Sequence, residues 1–76
     1  MKIIKIGGKK LEVKCRLKVI LAEKDMRLTE LANKTDLNYK YLSDVNVGRR
    51  EPGVRNCLII AKALDEKVEE IWKLKD

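Results

Sequence analysis

The polar side chains best suited to recognition chemistry cluster in the middle of this 76-residue chain. Hydroxyl, ammonium and carboxylate groups follow one another closely, at Tyr39, Lys40, Ser43 and Asp44. Two guanidinium groups come shortly after, at Arg49 and Arg50. Such groups donate and accept hydrogen bonds, and the cations among them bind anions. This set of residues therefore favours binding over the making and breaking of covalent bonds.

Covalent catalysis and metal binding lack the residues that they need. The chain has no histidine, and its two cysteines, Cys15 and Cys57, are far apart and have no neighbouring base. No cluster supplies four zinc ligands, and no glycine-rich phosphate loop occurs. Glu69 and Glu70 lie where a solvated helix face is expected. We therefore expect no enzyme activity, no cofactor and no metal, and both cysteines should be small buried or half-buried residues within helical segments.

The basic character of the chain is concentrated at one end. The formal net charge is +6, and the sequence pI is about 9.5. Residues 1–18 hold seven Lys or Arg and one Glu, whereas residues 19–76 hold eleven of each sign. The sign fits a polyanionic partner, but solvated lysines on a surface hairpin explain the same excess equally well.

Length and hydropathy predict one small cytoplasmic domain with no membrane partner. No apolar run approaches the roughly 20 residues of a membrane span. The first residues are too few and too charged for a signal peptide. A chain of this length also leaves no room for a separate ligand-sensing domain, so no small-molecule ligand is expected.

The N-terminal residues predict a β-hairpin. Residues 2–6 and 10–14 are rich in β-branched residues, and Leu11 and Val13 alternate with charged neighbours. Gly7-Gly8 lies between the two runs and supplies the positive φ angles of a tight turn. We expect residues 1–14 to form this extension and residues 15–76 to form the functional domain.

Five helical segments follow the hairpin. Apolar spacing places them near residues 14–24, 28–35, 39–46, 54–64 and 68–74. The fourth predicts one inward stripe, made of Val54, Cys57, Ile60, Ala61 and Leu64. Asp36 suits the left-handed end of the second helix, Asn38 is a good N-cap for the third, and Gly48 should end it. Pro52 forbids helix in the basic loop that precedes the fourth.

The second and third helices, joined by a tight turn, have the outline of a helix-turn-helix. Leu31 and Ala32 anchor the first of the pair and Leu37 fills the turn. Leu42 and Val45 should face inward from the second. The polar residues named at the outset then point outward.

Several motifs in register carry a family resemblance. Residues 31–38, 42–43, 47–52 and 60–64 resemble the Cro/CI (xenobiotic-response-element) helix-turn-helix family, and the likeness covers about residues 16–72. The resemblance implies a mainly α, five-helix lambda-repressor-like DNA-binding domain, here with an N-terminal β-hairpin added.

The resemblance also implies roles for individual residues. The base-reading positions of the recognition helix correspond to Tyr39, Lys40, Ser43 and Asp44. Lys40 would donate to guanine O6 or N7, and Tyr39 would contact a thymine methyl or donate to an acceptor. Asp44 would either accept from cytosine N4 or repel phosphate. Positions near phosphates correspond to Asn38, Arg49, Arg50 and Arg55.

The chain departs from the family pattern at several positions, which are Leu21, Leu28, Asp36, Asn46, Val47, Gly53 and Lys67. These departures make the expected DNA face less polar than is usual. Leu58, Ile59 and Trp72 are apolar and suggest either a partner surface or a surface covered by the hairpin.

The functional expectation is a sequence-specific, repressor-like transcriptional regulator that binds a double-stranded operator as a homodimer. Two recognition helices would read half-sites about 34 Å apart. The alternative is a protein-interaction module of the same fold, antirepressor-like or antitoxin-like, with little DNA reading. RNA binding is a weaker third possibility, because the chain lacks Phe and shows no aromatic platform for stacking bases.

Overall fold

The computed structural model describes the backbone of residues 3–6 and 9–75 and the side chains of residues 12–75. Five helices and three strands occur in this part of the chain. In order they are β1 (Ile3–Ile6), β2 (Lys9–Cys15), α1 (Leu17–Glu23), α2 (Leu28–Thr35), α3 (Tyr39–Asn46), α4 (Val54–Leu64), α5 (Val68–Ile71) and β3 (Trp72–Lys75). The expected five-helix fold with an N-terminal hairpin is confirmed, and the bounds of α2, α3 and α4 are those predicted.

Ten apolar residues form a single core, contributed by all five helices. They are Leu17, Ile20, Leu21, Leu31, Leu42, Val45, Ile60, Ala61, Leu64 and Ile71. Within each longer helix they recur at the three- and four-residue spacing that keeps side chains on one face. Burying a Leu or Ile side chain contributes about 1.5–3 kcal/mol, so this core fixes the orientation of every helix that touches it.

The turn between α2 and α3 is held by local polar contacts. Asp36 is left-handed, with φ 59° and ψ 23°, as the sequence predicts. The Thr35 hydroxyl donates to the Leu31 carbonyl over 2.8 Å and accepts from the Leu37 amide over 3.3 Å. The Asn38 side chain accepts from the Tyr41 amide over 3.2 Å, which is the expected N-cap of α3. These contacts set the angle at which α3 leaves α2.

The C-terminal segment differs from the sequence prediction. The expected helix over residues 68–74 ends at Ile71, and β3 begins at Trp72. Apolar and charged residues alternate from Trp72 to Lys75, which is the period of a half-buried strand. The free edge of β2 supplies the hydrogen-bonding partner, and this pairing outweighs the short helical pattern. Cys15 correspondingly ends β2 and does not lie in a helix.

The three strands form one antiparallel sheet in the order β1-β2-β3. Ile3 pairs with Glu12 and Ile6 with Lys9, which confirms the hairpin; the predicted turn at residues 7–8 lies outside the described residues. On the other edge of β2, Cys15 pairs with Trp72. The hairpin is thus continuous with the C-terminal strand. The domain boundary after residue 14 stays a prediction.

The prediction of an inward stripe on α4 is wrong for one residue, Val54. Val54 is 78% exposed, whereas Ile60, Ala61 and Leu64 are buried and Cys57 is half-buried. Val54 is the first residue of α4. Its Cα–Cβ bond tilts toward the helix N-terminus, so the side chain projects beyond the turns that pack on the core.

Candidate nucleic-acid interface

Helix α3 divides into a buried face and an open face. Leu42 and Val45 are 0% and 1% exposed, so the inward pair is confirmed. Tyr39 is 52% exposed and the Lys40 side chain 76% exposed, whereas Ser43 is only half-exposed. The structure therefore presents the first turn of α3 most freely.

Asp44 is the centre of an ion-pair cluster that sequence reasoning missed. Its carboxylate lies 3.3 Å from the Lys40 ammonium and 3.4 Å from the Arg49 guanidinium. The four-residue separation of Lys40 and Asp44 was a visible signal, but the pairing with Arg49 depends on the path of the loop. The Asp44 carbonyl accepts from the Arg49 and Arg50 amides over 2.8 and 3.2 Å. Asp44 is thus neutralised by cations on both sides.

A second cluster orders Arg50. Its guanidinium lies 4.8 Å from the centroid of the Tyr41 ring, within the range of a cation–π interaction. The Tyr41 hydroxyl in turn accepts from the Asn56 side chain over 2.9 Å. Tyr41 also packs against the core, as expected of a residue at a helix edge. One ring therefore links α3, α4 and the loop between them, and it holds Arg50 beside α3.

The remaining site candidates are less tightly connected. Asn38 is exposed, and its Oδ1 atom is occupied by the N-cap contact. Arg55 is exposed in the first turn of α4. The structure thus brings together six candidates, which are Tyr39, Lys40, Ser43, Asp44, Arg49 and Arg50. Asn38 lies at the near end of α3, and no hydrogen bond or ion pair joins Arg55 to the six within the described residues.

Only some of the residues that depart from the family pattern have a packing role. Leu21 is buried in the core, and Leu28 is half-buried against it. Gly53 and Lys67 provide no side-chain cap for α4 and α5. The Asn46 Oδ1 atom is buried and has no hydrogen-bond partner among the described residues. Apolar packing therefore accounts for much of the reduced polarity that the sequence indicates.

Both cysteines are free and half-buried. Burial raises the pKa of the Cys15 thiol, and it likewise raises the pKa of the Cys57 thiol. Cys15 donates a long hydrogen bond to the Val45 carbonyl over 3.7 Å. A raised pKa keeps each thiol protonated at neutral pH, which suits a packing residue and disfavours a nucleophile.

The described residues form neither a metal-binding cluster nor a membrane-spanning helix. They contain no group of three or more His, Cys, Asp or Glu side chains placed to hold a metal ion. None of their helices is both long and apolar enough to cross a membrane.

Replacing Tyr41 by Phe tests the connection between α3 and α4. The change removes the hydroxyl that accepts from Asn56, and we expect the free energy of unfolding to fall by about 0.5–1.5 kcal/mol. Urea denaturation measures this loss. Tyr39→Phe is the matched control, because Tyr39 is half-exposed in the same helix and its loss should stay within about 0.5 kcal/mol. Equal effects of the two changes would mean that the contact with Asn56 adds no stability.

A comparison with protein families gives one match. The family model described as helix-turn-helix matches residues 17–71, which is more than half of the chain and runs from the start of α1 to the end of α5. No curated protein matches the sequence. The matched range contains the α2–turn–α3 unit and every one of the site candidates, and the chain belongs to the Cro/CI-type helix-turn-helix family of DNA-binding domains.

Proposed function

We propose that this protein is a sequence-specific, repressor-like transcriptional regulator that inserts α3 into the major groove of double-stranded DNA. Membership of the family supports a DNA-binding helix-turn-helix regulator in general. The observation that carries the finer proposal is the division of α3. Leu42 and Val45 are buried, while Tyr39 and the side chain of Lys40 are exposed to solvent. A helix held in this way can enter a groove without unfolding any part of the core.

Base reading is assigned to the open face of α3. Lys40 donates to guanine O6 or N7, and Tyr39 contacts a thymine methyl or donates to an acceptor. Ser43, half-exposed one turn further along, donates or accepts at the groove edge. Asp44 has a different role from the one expected for a bare carboxylate, because it orients Lys40 and Arg49. Accepting from cytosine N4 would require it to release one of these cations.

Phosphate binding is assigned to residues around α3. Arg50 is held by the Tyr41 ring and Arg49 by Asp44, so both guanidinium groups are partly ordered before DNA arrives. Ordering a long side chain in advance lowers the entropy lost on binding. Arg55 and Asn38 contribute from the first turn of α4 and the start of α3. These contacts set the register of the protein on the duplex and carry little sequence information.

The protein is further proposed to act in the cytoplasm as a homodimer on a two-fold operator. One α3 reads only a few base pairs, and a second copy adds its contact energy to the first. Half-sites about 34 Å apart would place both helices on one side of the duplex. A selection of bound sites from random duplexes tests this directly, because a dimer should recover sequences with inverted symmetry.

Salt titration tests whether phosphate contacts hold the complex. If Arg49, Arg50 and Arg55 each neutralise a phosphate, these three contacts should contribute about −3 per protomer to the slope of log K against log salt. Fluorescence anisotropy with a labelled duplex measures this slope. Replacing all three arginines by Gln should make the slope less negative by about 3 per protomer. Failure of the wild-type protein to bind any duplex at low salt would contradict the proposal.

A protein-interaction module of the same fold is the second candidate. It is favoured by exposed apolar side chains outside the recognition face, which include Val54 at 78%, Leu58 at 57% and Leu74 at 56%. Apolar side chains that gather on one surface mark partner sites. Such a module would bind its partner with little dependence on salt and would leave Tyr39 and Lys40 without function.

A further inference from the structure

The C-terminal strand creates a charged surface that the site described above does not include. In the pairing of β2 with β3, Lys14 lies opposite Lys73 and Glu12 opposite Lys75. Because successive strand residues point to opposite faces, these four side chains share one face of the sheet. All four are exposed. The face carries three ammonium groups and one carboxylate.

The opposite face of the same strands is turned toward the protein. Cys15 and Trp72 are half-buried and pack against the core. Val13 and Trp72 also line a small cavity with Pro52 and Cys57. With one face fixed in this way, the lysine face is directed away from the core and toward solvent.

This lysine face lies beside the recognition helix. A groove runs between β2 and the C-terminal end of α3, and its walls include Lys14, Lys75, Asn46, Val47 and Gly48. The contact between the Cys15 thiol and the Val45 carbonyl joins the same two elements. A duplex that receives α3 in its major groove therefore has the sheet next to it.

The three lysines of this face differ in their ion pairing. Lys73 is paired with Glu70 over 3.5 Å. No ion pair joins Lys14 or Lys75 to any residue whose side chain the structure describes. Lys14 and Lys75 thus add positive charge to this face of the sheet.

We propose that Lys14 and Lys75 form a second DNA-contacting surface, which binds the sugar-phosphate backbone beside the groove occupied by α3. The inference rests on the proposed function. The chemistry favours phosphate as the ligand, because ammonium groups on flexible stems act as point charges and make poor bidentate contacts with bases. The surface accordingly increases affinity for every duplex sequence and leaves sequence preference to α3. It also gives a role to Lys14, which is one of the seven basic residues of the segment 1–18.

The double variant Lys14→Gln/Lys75→Gln tests this surface. Loss of two phosphate contacts should make the slope of log K against log salt less negative by about 2 per protomer. The drop in affinity between about 50 and 200 mM salt should then be about tenfold smaller than in the wild-type protein. Binding to the selected operator and to an unrelated duplex should weaken by the same factor. Anisotropy titrations on both duplexes measure these quantities, and circular dichroism confirms the fold.

The matched control is Lys62→Gln/Lys67→Gln. Both lysines are exposed, and replacing them removes the same charge. Lys62 lies in the last turn of α4, at the end remote from Arg55, and Lys67 follows that helix. We expect the control to keep the wild-type slope. If the control flattens the slope as much as the sheet variant does, the loss of net charge explains the change in slope, and the proposed DNA contact by Lys14 and Lys75 is wrong. If the wild-type protein binds DNA and the sheet variant has an unchanged slope, the inference fails alone. If the wild-type protein binds no duplex, the proposed function itself fails.

Discussion

Replacing Leu42 by Ala should lower the free energy of unfolding by about 2–5 kcal/mol. The side chain is 0% exposed and lies on the inward face of α3, against the core shared by all five helices. A domain of 76 residues has a total stability of about 4–11 kcal/mol. The variant should therefore lose a large part of its stability, and its melting temperature should fall by at least about 10 °C. Urea denaturation and thermal melting followed by circular dichroism measure both quantities.

Leu58→Ala supplies the matched control for that experiment. It deletes the same atoms from α4, but Leu58 is 57% exposed, so we expect a loss within about 0.5 kcal/mol. A similar loss in the two variants would mean that α3 is not anchored through Leu42. The proposed presentation of Tyr39 and Lys40 would then lose its physical basis.

Replacing Lys40 by Ala should cost about 1–3 kcal/mol of binding free energy on the preferred operator and relax the base preference at one position. Lys40 is the one cation of α3, its side chain is 76% exposed, and its ammonium group is already oriented by Asp44 over 3.3 Å. Because an exposed ion pair contributes only about 0–1 kcal/mol, Lys40 can leave Asp44 for a guanine at small cost. Anisotropy titration against single-base variants of the operator measures the effect.

Two further variants separate base reading from general electrostatics. Arg49→Gln removes the other cation on Asp44, and we expect it to weaken binding equally on all duplexes. In Lys40→Ala, the Asp44 carboxylate loses one of its two cations and could repel the DNA. The double variant Lys40→Ala/Asp44→Asn removes that carboxylate and so isolates the loss of the lysine contact. If Lys40→Ala behaves like Arg49→Gln on every sequence, Lys40 contacts the backbone and the base-reading assignment is wrong.

The sequence predicts the central helices well because independent local signals agree there. For α3, the apolar spacing of Leu42 and Val45, the Asn38 cap and Gly48 beyond the end all indicate the same bounds. Gly48 has a φ of 79°, a conformation that residues other than glycine rarely adopt. Agreement among such signals is what makes a segment predictable.

The end of the chain is less predictable because its local signals conflict. Val68, Ile71 and Trp72 fit a helix, but the alternation of Trp72 and Leu74 with lysines fits a strand equally well. The choice depends on β2, which pairs with this segment from the other end of the sequence. A pattern read over a few residues contains no information about such a partner, so the pairing could not be predicted.

The candidate site shows the same division between local and distant information. The outward positions of α3 follow from its helical period, and the structure confirms that Tyr39 and Lys40 are exposed. The position of Arg50 over Tyr41 and the contact of Tyr41 with Asn56 require the loop and α4 to fold back onto α3. Contacts of this kind depend on tertiary packing, and residue spacing alone does not reveal them.

The pairing of β2 with β3 also affects the order in which parts of the fold form during synthesis. Arg16, just after β2, bonds to the carbonyl of Glu70, 54 positions later. A hairpin of two strands is at best marginally stable by itself in water, and contacts between distant segments form late because a long loop must close first. On the ribosome, α1 to α4 can therefore pack together before β3 is available to pair with β2. Lys14 and Lys75 come together beside α3 only after β3 has left the ribosome.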